Sequence, residues 1–130
     1  MALSSQQMVK EAEAQIETLD IDTALARLDD DNYTFVDIRD VRELWREGKI
    51  QGATHAPRGM LEFWIDPESP YHREVFASGK TFVFYCASAW RSALAALTAQ
   101  NMGLKTCHIA GGFTAWKTAS GPIEAVEPKH

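Results

Sequence analysis

The feature that most restricts the fold of this chain is an uninterrupted apolar and aromatic run at residues 81–85, Thr-Phe-Val-Phe-Tyr. A half-exposed strand alternates apolar and polar side chains, whereas a continuous run of this kind is typical of a strand that is buried on both faces. Such strands occur in parallel sheets, and parallel connections place helices on the two faces of the sheet. The run therefore predicts an α/β domain with a largely parallel sheet.

The rest of the chain alternates strand and helix patterns, as this prediction requires. Further strands are predicted at residues 16–21, 33–38, within 50–56 and at 106–109. Helices are predicted at residues 4–16, 22–28, 41–46, around 60–64, 91–102 and 113–119. In the first helix, Ser4 is expected to cap the N-terminus and Met8, Ala12 and Ile16 to form the buried face. Asp22 is expected to cap the second helix.

Composition and charge argue against several classes of function. The chain has 13 Lys+Arg against 18 Asp+Glu, a net charge of −5, whereas nucleic-acid binding usually needs a basic surface. No apolar run approaches the roughly 18–20 residues that cross a bilayer, and no secretory-signal pattern is visible. Two cysteines are too few for a disulfide framework and lack metal-ligand spacing. We expect a cytoplasmic domain that binds no metal, nucleic acid or membrane.

The segment that follows the buried run combines a thiol with a connection from strand to helix. Cys86 comes directly after the predicted strand, and the helical pattern begins near Arg91. Backbone N–H groups between them lack partners within a helix and can form an anion-binding nest, to which the helix dipole adds positive charge. Both effects favour a thiolate, which is a nucleophile. An inert core cysteine is the alternative that this pattern leaves open.

Four separated motifs, including this segment, resemble those of the single-domain rhodanese-like sulfurtransferases. The resemblance covers about residues 16–121 and rests on segments 36–39 (VDIR), 43–53 (ELWREGKIQGA), 86–96 (CASAWRSALAA) and 111–116 (GGFTAW). It implies a five-stranded, mostly parallel sheet with helices on both faces. The chain then divides into an N-terminal helical extension at residues 1–15 and a rhodanese-like domain at residues 16–130.

The resemblance also implies an activity and a site. Cys86 is then the catalytic nucleophile, and the loop that binds its persulfide consists of Ala87, Ser88, Ala89, Trp90, Arg91 and Ser92. Sulfane sulfur passes from a small anionic donor such as thiosulfate to cyanide or a thiol, with no metal and no organic cofactor. A protein is the alternative sulfur donor or acceptor.

Two other kinds of function remain as alternatives. Some domains of this family are non-catalytic modules for sulfur relay or regulation, although this chain retains both Cys86 and Arg91. Phosphatases and arsenate reductases are the other class. Related phosphatases carry five residues between cysteine and arginine, whereas this chain carries four, which favours sulfur transfer.

Several charged residues have both a functional and a structural interpretation. Arg91 either binds the anionic donor and stiffens the loop or is an ordinary residue of a first helical turn. Arg58 either adds positive charge near the pocket or lies in solvent. Asp37 ends the strand expected beside the active one, where it supports either the site or the scaffold. Arg39 and Glu43, four positions apart, are expected to form an ion pair.

The chain departs from the family pattern at two positions. Ala89 stands where the family usually has glycine, and alanine there costs about 1 kcal/mol if the backbone requires a positive φ. Lys49 stands where the family usually has histidine. Trp90, within the loop, is expected either to line the pocket or to pack on a neighbour. Cys107 is expected in the core, with a redox role as the alternative.

Overall fold

Five parallel strands form the central sheet of the computed structural model, which describes residues 2–128. In chain order the strands are β1 (Glu17–Leu19), β2 (Tyr33–Asp37), β3 (Lys49–Ile50), β4 (Thr54–His55), β5 (Thr81–Tyr85), β6 (Lys105–Ile109) and β7 (Ile123–Glu124). The sheet has the order β1-β6-β5-β2-β4, and all its neighbouring strands are parallel. β3 and β7 form a separate antiparallel pair. The predicted five-stranded parallel sheet is confirmed.

Six helices complete the domain. They are α1 (Ser5–Glu13), α2 (Ile21–Arg27), α3 (Val41–Glu47), α4 (Leu61–Ile65), α5 (Trp90–Asn101) and α6 (Gly112–Thr118), with 3₁₀ turns at Arg58–Met60 and Glu74–Ala77. Within residues 2–128, no helix has the length and hydropathy needed to cross a membrane. Met1, the first residue of the predicted N-terminal extension, and residues 129–130, the last of the predicted domain, lie outside the described residues.

The central strand β5 contributes side chains to two separate cores. Phe82 and Phe84 pack into the core that contains buried residues of α1, α4 and α5. Val83 and Tyr85 pack into the core that contains buried residues of α2 and α6. Both faces of β5 are covered from Phe82 to Tyr85, so these four positions take apolar or aromatic side chains. This explains the continuous apolar run from which the fold was predicted.

The first helix is shorter than predicted and presents a different face. Ser4 caps α1 as predicted, its hydroxyl accepting the N–H of Gln7 at 3.1 Å. The buried positions of the helix are Val9 and Ala12, and Met8 is 43% exposed. The prediction for Met8 was wrong because the buried face of α1 contains Val9, three positions before Ala12, and not Met8, four positions before it.

The start of the second helix and the segment at 50–56 also differ from prediction. Asp20, not Asp22, caps α2, since its carboxylate accepts the N–H of Thr23 at 2.7 Å. Asp22 lies within the first turn of the helix. The single strand predicted within residues 50–56 is two short strands, β3 and β4, in different sheets. Two-residue strands contain too few positions to produce a periodic pattern.

Candidate active site

Cys86 lies at the carboxyl end of the central strand, where ligands bind in open parallel sheets. Cys86 is only 1% exposed, so its thiol lies beneath the connection between β5 and α5. The sulfur of Cys86 accepts the backbone N–H of Ser92 at 3.4 Å. This N–H belongs to the first turn of a twelve-residue helix, so the thiol is placed at the positive end of the helix dipole.

The start of α6 fixes the backbone orientation of the loop. The carbonyl of Cys86 accepts the N–H of Phe113 at 2.8 Å, and that of Ala87 accepts the N–H of Thr114 at 3.1 Å. In a trans peptide the N–H points opposite to the carbonyl, so the N–H groups of Ala87 and Ser88 point away from α6. Within residues 2–128, the N–H groups of residues 87–91 have no hydrogen-bond partner. They are available to an anion or to a charged sulfur.

Gly112 makes this close packing of the loop on α6 possible. A Cβ at this position would lie 2.5 Å from the carbonyl oxygen of Cys86 and closer still to that of Ser88. The φ of Gly112 is +56°, a left-handed conformation that glycine adopts without strain. Gly112 of the 111–116 motif therefore lets α6 pack directly against the loop, a role that the sequence did not reveal.

Ala89 is not strained, contrary to the concern raised by its departure from glycine. Its φ is −166°, extended backbone that any residue adopts. Its carbonyl caps the new helix by accepting the N–H of Ala93 at 3.1 Å and the hydroxyl of Ser92 at 3.2 Å. The condition under which alanine would cost about 1 kcal/mol is not met.

A chain of hydrogen bonds connects the loop to a buried histidine that the sequence analysis missed. The hydroxyl of Ser92 donates to Ala89, so His108 must donate its Nδ1–H to Ser92 Oγ, 3.0 Å away. The Nε2 of His108 then accepts the hydroxyl of Thr18 at 3.0 Å. Burial lowers the pKa of His108 to about 4, so the imidazole is neutral at neutral pH. A histidine at a buried position of a strand was the available signal.

Arg91 is held beside the loop by a carboxylate from α3. Its guanidinium donates to the two oxygens of Glu43 at 2.8 and 2.9 Å. The second function of Glu43 is to accept the N–H of Asp40 at 3.0 Å, which completes the capping box of α3. The hydrogen bond with Glu43 raises the pKa of Arg91, to which the nearby Cys86 also contributes. The same bond with Arg91 lowers the pKa of Glu43.

The predicted ion pair between Arg39 and Glu43 is wrong. Arg39 is completely buried, and its Nη2 donates to Asp37 Oδ2 at 2.7 Å and to the carbonyl of Gly48 at 2.7 Å. Its guanidinium also lies 4.2 Å from the ring centroid of Phe113. The i,i+4 rule applies to neighbours on a helix surface, but Arg39 precedes α3 and points into the core. Asp37 is thereby part of the scaffold beneath the site.

Arg58 and Cys107 are two further residues that the sequence singled out. The guanidinium of Arg58 is paired with Glu62 at 2.7 Å on the segment that leads into α4, so its charge is already partnered. Cys107 packs in the core that contains α2 and α6, whereas Cys86 packs in the other core. Burial raises the pKa of the Cys107 thiol to about 12. The two thiols therefore lie on opposite faces of the sheet.

Trp90 lines a groove beside the loop instead of packing in the core. Trp90 is 71% exposed. The groove has a volume of about 690 Å³ and lies between Trp90 on α5 and Val9 on α1. Trp90 therefore does not pack in the core, and among the described residues neither Cys86 nor residues 87–89 line this groove. No cluster of three or more potential metal ligands occurs within residues 2–128.

Comparisons with known proteins agree with this architecture. Residues 20–119 match the sequence profile of the rhodanese-like domain family. A protein of unknown function from Rhodopseudomonas palustris CGA009, described as a possible tyrosine phosphatase, is 53% identical over 95% of this chain and 96% of its own, with a TM-score of 0.92. The polysulfide-sulfur transferase homodimer of Wolinella succinogenes is 30% identical over 96% and 90%, with a TM-score of 0.69.

A more distant structure shows the fold alone. A rhodanese-related protein of Thermoplasma volcanium is 21% identical over 85% of this chain and 99% of its own, with a TM-score of 0.70. No protein with a curated description matches the chain.

Proposed function

Since this chain belongs to the rhodanese-like domain family, we propose that it transfers sulfane sulfur through a persulfide on Cys86. The family and the 30% identity to a polysulfide-sulfur transferase support a sulfurtransferase kind of activity. The observation that carries the proposal is the position of the Cys86 sulfur, 3.4 Å from the backbone nitrogen of Ser92, in a loop whose N–H groups at residues 87–91 have no partner within residues 2–128. Such donors stabilise negative charge on sulfur before and after transfer.

The first half-reaction loads the enzyme. The Cys86 thiol loses its proton to solvent, and the thiolate attacks the outer sulfur of a donor such as thiosulfate. A new S–S bond forms on Cys86 while the S–S bond of the donor breaks, and sulfite leaves with the bonding electron pair. The donor carries negative charge and the persulfide ends in a charged sulfur, so both are matched by the loop N–H groups and the helix dipole.

The second half-reaction unloads the enzyme. Cyanide or a thiolate attacks the terminal sulfur of the persulfide, and the S–S bond to Cys86 breaks. Cys86 leaves as a thiolate, which restores the starting state without a general base. The reaction is therefore covalent and proceeds in two separate steps with one enzyme-bound intermediate.

Intact-mass spectrometry tests this proposal directly. Wild type, Cys86→Ala and Cys107→Ala are incubated with thiosulfate, and in a second series with polysulfide. We expect a gain of one sulfur atom in wild type and in Cys107→Ala, reversed by cyanide, and no gain in Cys86→Ala. No cyanide-labile sulfur with either donor would reject catalysis and favour a non-catalytic module. Equal gain in Cys86→Ala would reject the assigned nucleophile.

Phosphatase activity is a second candidate because the 53% identical protein is described as a possible tyrosine phosphatase. Two features of this chain oppose it: only four residues separate Cys86 from Arg91, and the guanidinium of Arg91 is bound through two oxygens by Glu43. Hydrolysis of an aryl phosphate, measured beside thiosulfate-dependent turnover on the same preparation, separates the two functions. Phosphate release abolished by Cys86→Ala would favour the phosphatase.

A further inference from the structure

His108 is a polar residue at a fully buried position of the sheet, directly beneath the start of α5. In the register of the parallel strands it pairs with Phe84 of β5 and with Thr18 of β1. Phe84 belongs to the apolar core that contains buried residues of α1, α4 and α5. An apolar side chain would fill this position without the cost of removing an imidazole from water. The contacts of His108 therefore indicate what the imidazole is used for.

Two hydrogen bonds hold the imidazole of His108 in one tautomer. Its Nε2 accepts the hydroxyl of Thr18 at 3.0 Å, which leaves the ring proton on Nδ1. The Nδ1–H donates to Ser92 Oγ, also at 3.0 Å. Burial lowers the pKa of His108 to about 4, so the imidazole stays neutral at neutral pH. His108 is thus a fixed, uncharged hydrogen-bond donor to Ser92.

Ser92 connects this bond to the active loop at two points. Its backbone N–H donates to the Cys86 sulfur at 3.4 Å, and its hydroxyl donates to the carbonyl of Ala89 at 3.2 Å. The peptide that follows Ala89 is trans, so the N–H of Trp90 points opposite to that carbonyl, away from the body of α5. A hydroxyl that accepts a hydrogen bond donates a stronger one, so the bond from His108 strengthens the hold on this peptide.

We propose that His108 is a positioning residue of the active loop. Acting through Ser92, it holds the N–H groups of Trp90 and Ser92 in the orientation that stabilises negative charge on the sulfur. This inference rests on the proposed function, in which the thiolate, the donor and the persulfide all carry that charge. The loop is then fixed from two sides, since α6 binds the carbonyls of Cys86 and Ala87. His108 transfers no proton in this role, because its Nδ1–H faces the hydroxyl of Ser92 and not the sulfur.

The rate of persulfide formation with thiosulfate tests this role in two variants of nearly equal shape. Asn and Leu at position 108 both lose the bond to Thr18, but only Asn keeps an N–H donor near the position of Nδ1. We expect the second-order rate constant, followed by intact mass, to fall about fivefold in His108→Leu, as for the loss of one hydrogen bond. In His108→Asn and in Thr18→Val it should stay within twofold of wild type. Equal losses in the two His108 variants would mean a merely structural role and would overturn the inference.

A double-mutant cycle with Ser92→Ala tests whether His108 acts through Ser92. Each variant is first shown to unfold cooperatively in urea, so that only folded proteins are compared. In the Ser92→Ala background, His108→Leu should change the rate constant less than twofold, because the hydroxyl that connects His108 to the loop is absent. A fivefold loss in that background, or equal rates for wild type and His108→Leu, would overturn the inference.

Alkylation of Cys86 measures the same role without sulfur transfer. Iodoacetate carries a negative charge and iodoacetamide does not, and both react with the thiolate, so the ratio of their rate constants is independent of the fraction of thiolate. The ratio reports how strongly the loop attracts negative charge, and it should fall about fivefold in His108→Leu but less than twofold in His108→Asn. An unchanged ratio in His108→Leu would overturn the positioning role while wild type still forms a persulfide. Absence of cyanide-labile sulfur in wild type would instead overturn the proposed function, and the positioning role with it.

Discussion

Replacing His108 by Asn should make the stability of this domain less sensitive to mild acid. His108 is buried on β6, donates its Nδ1–H to Ser92 and accepts the hydroxyl of Thr18 at Nε2. An Asn amide N–H occupies nearly the position of the imidazole Nδ1–H, so the variant retains a donor to Ser92 and cannot be protonated. The bond to Thr18 is lost.

The size of the effect follows from the pKa of His108. Burial lowers it from 6.5 to about 4 in the folded state, so the unfolded chain binds more protons between these pH values. The contribution of buried, neutral His108 to the free energy of unfolding is therefore complete above about pH 6.5, and it is lost as the pH falls towards 4. Between pH 7.5 and pH 5 the loss amounts to about 2 kcal/mol. The lost bond to Thr18 should cost the Asn variant about 1 kcal/mol at every pH.

Urea unfolding at pH 7.5, 6.5, 5.5 and 5.0 measures this contribution. The free energy of unfolding of wild type should fall by about 2 kcal/mol more than that of His108→Asn across this interval. Thr18→Val is the matched control, because it removes the same hydrogen bond but leaves the imidazole of His108 in place. Its free energy of unfolding should fall with pH as steeply as that of wild type. Parallel curves for His108→Asn and wild type would refute the assignment of a buried, neutral His108.

Three further perturbations test other parts of the site. Glu43→Gln leaves the charge of Arg91 uncompensated, so the KM for thiosulfate should fall about twofold; a higher KM would mean that Glu43 acts by positioning Arg91. Gly112→Ala should lower the free energy of unfolding in urea by about 2–4 kcal/mol, because the methyl group meets loop carbonyls and the φ is positive; a loss below 1 kcal/mol would contradict this packing. In native protein at pH 8, iodoacetamide should modify Cys86 but not Cys107, because the pKa of the Cys107 thiol is raised to about 12; equal labelling in a peptide map would contradict that raised pKa.

The sequence by itself determined the class of fold and the place of Cys86 at the carboxyl end of the central strand. The run at residues 81–85 could be interpreted because burial on both faces removes the polar positions that a half-exposed strand keeps. The location of Cys86 then followed from chain order, since it is the residue after the strand. The cap at Ser4 is likewise a local signal, and the structure contains it.

Only the tertiary structure decided which side chains meet at the site. Arg91 and Glu43 are 48 positions apart, and the sequence spacing favoured Arg39 as the partner of Glu43 instead. The bond between His108 and Ser92 forms because β6 lies beside β5, an arrangement that sequence periodicity does not encode. Periodicity reports which face of an element is buried, and it carries no information about the order of strands in the sheet. The partners of Arg91 and His108, and the groove formed by α1, depend on that order and on packing between elements distant in sequence.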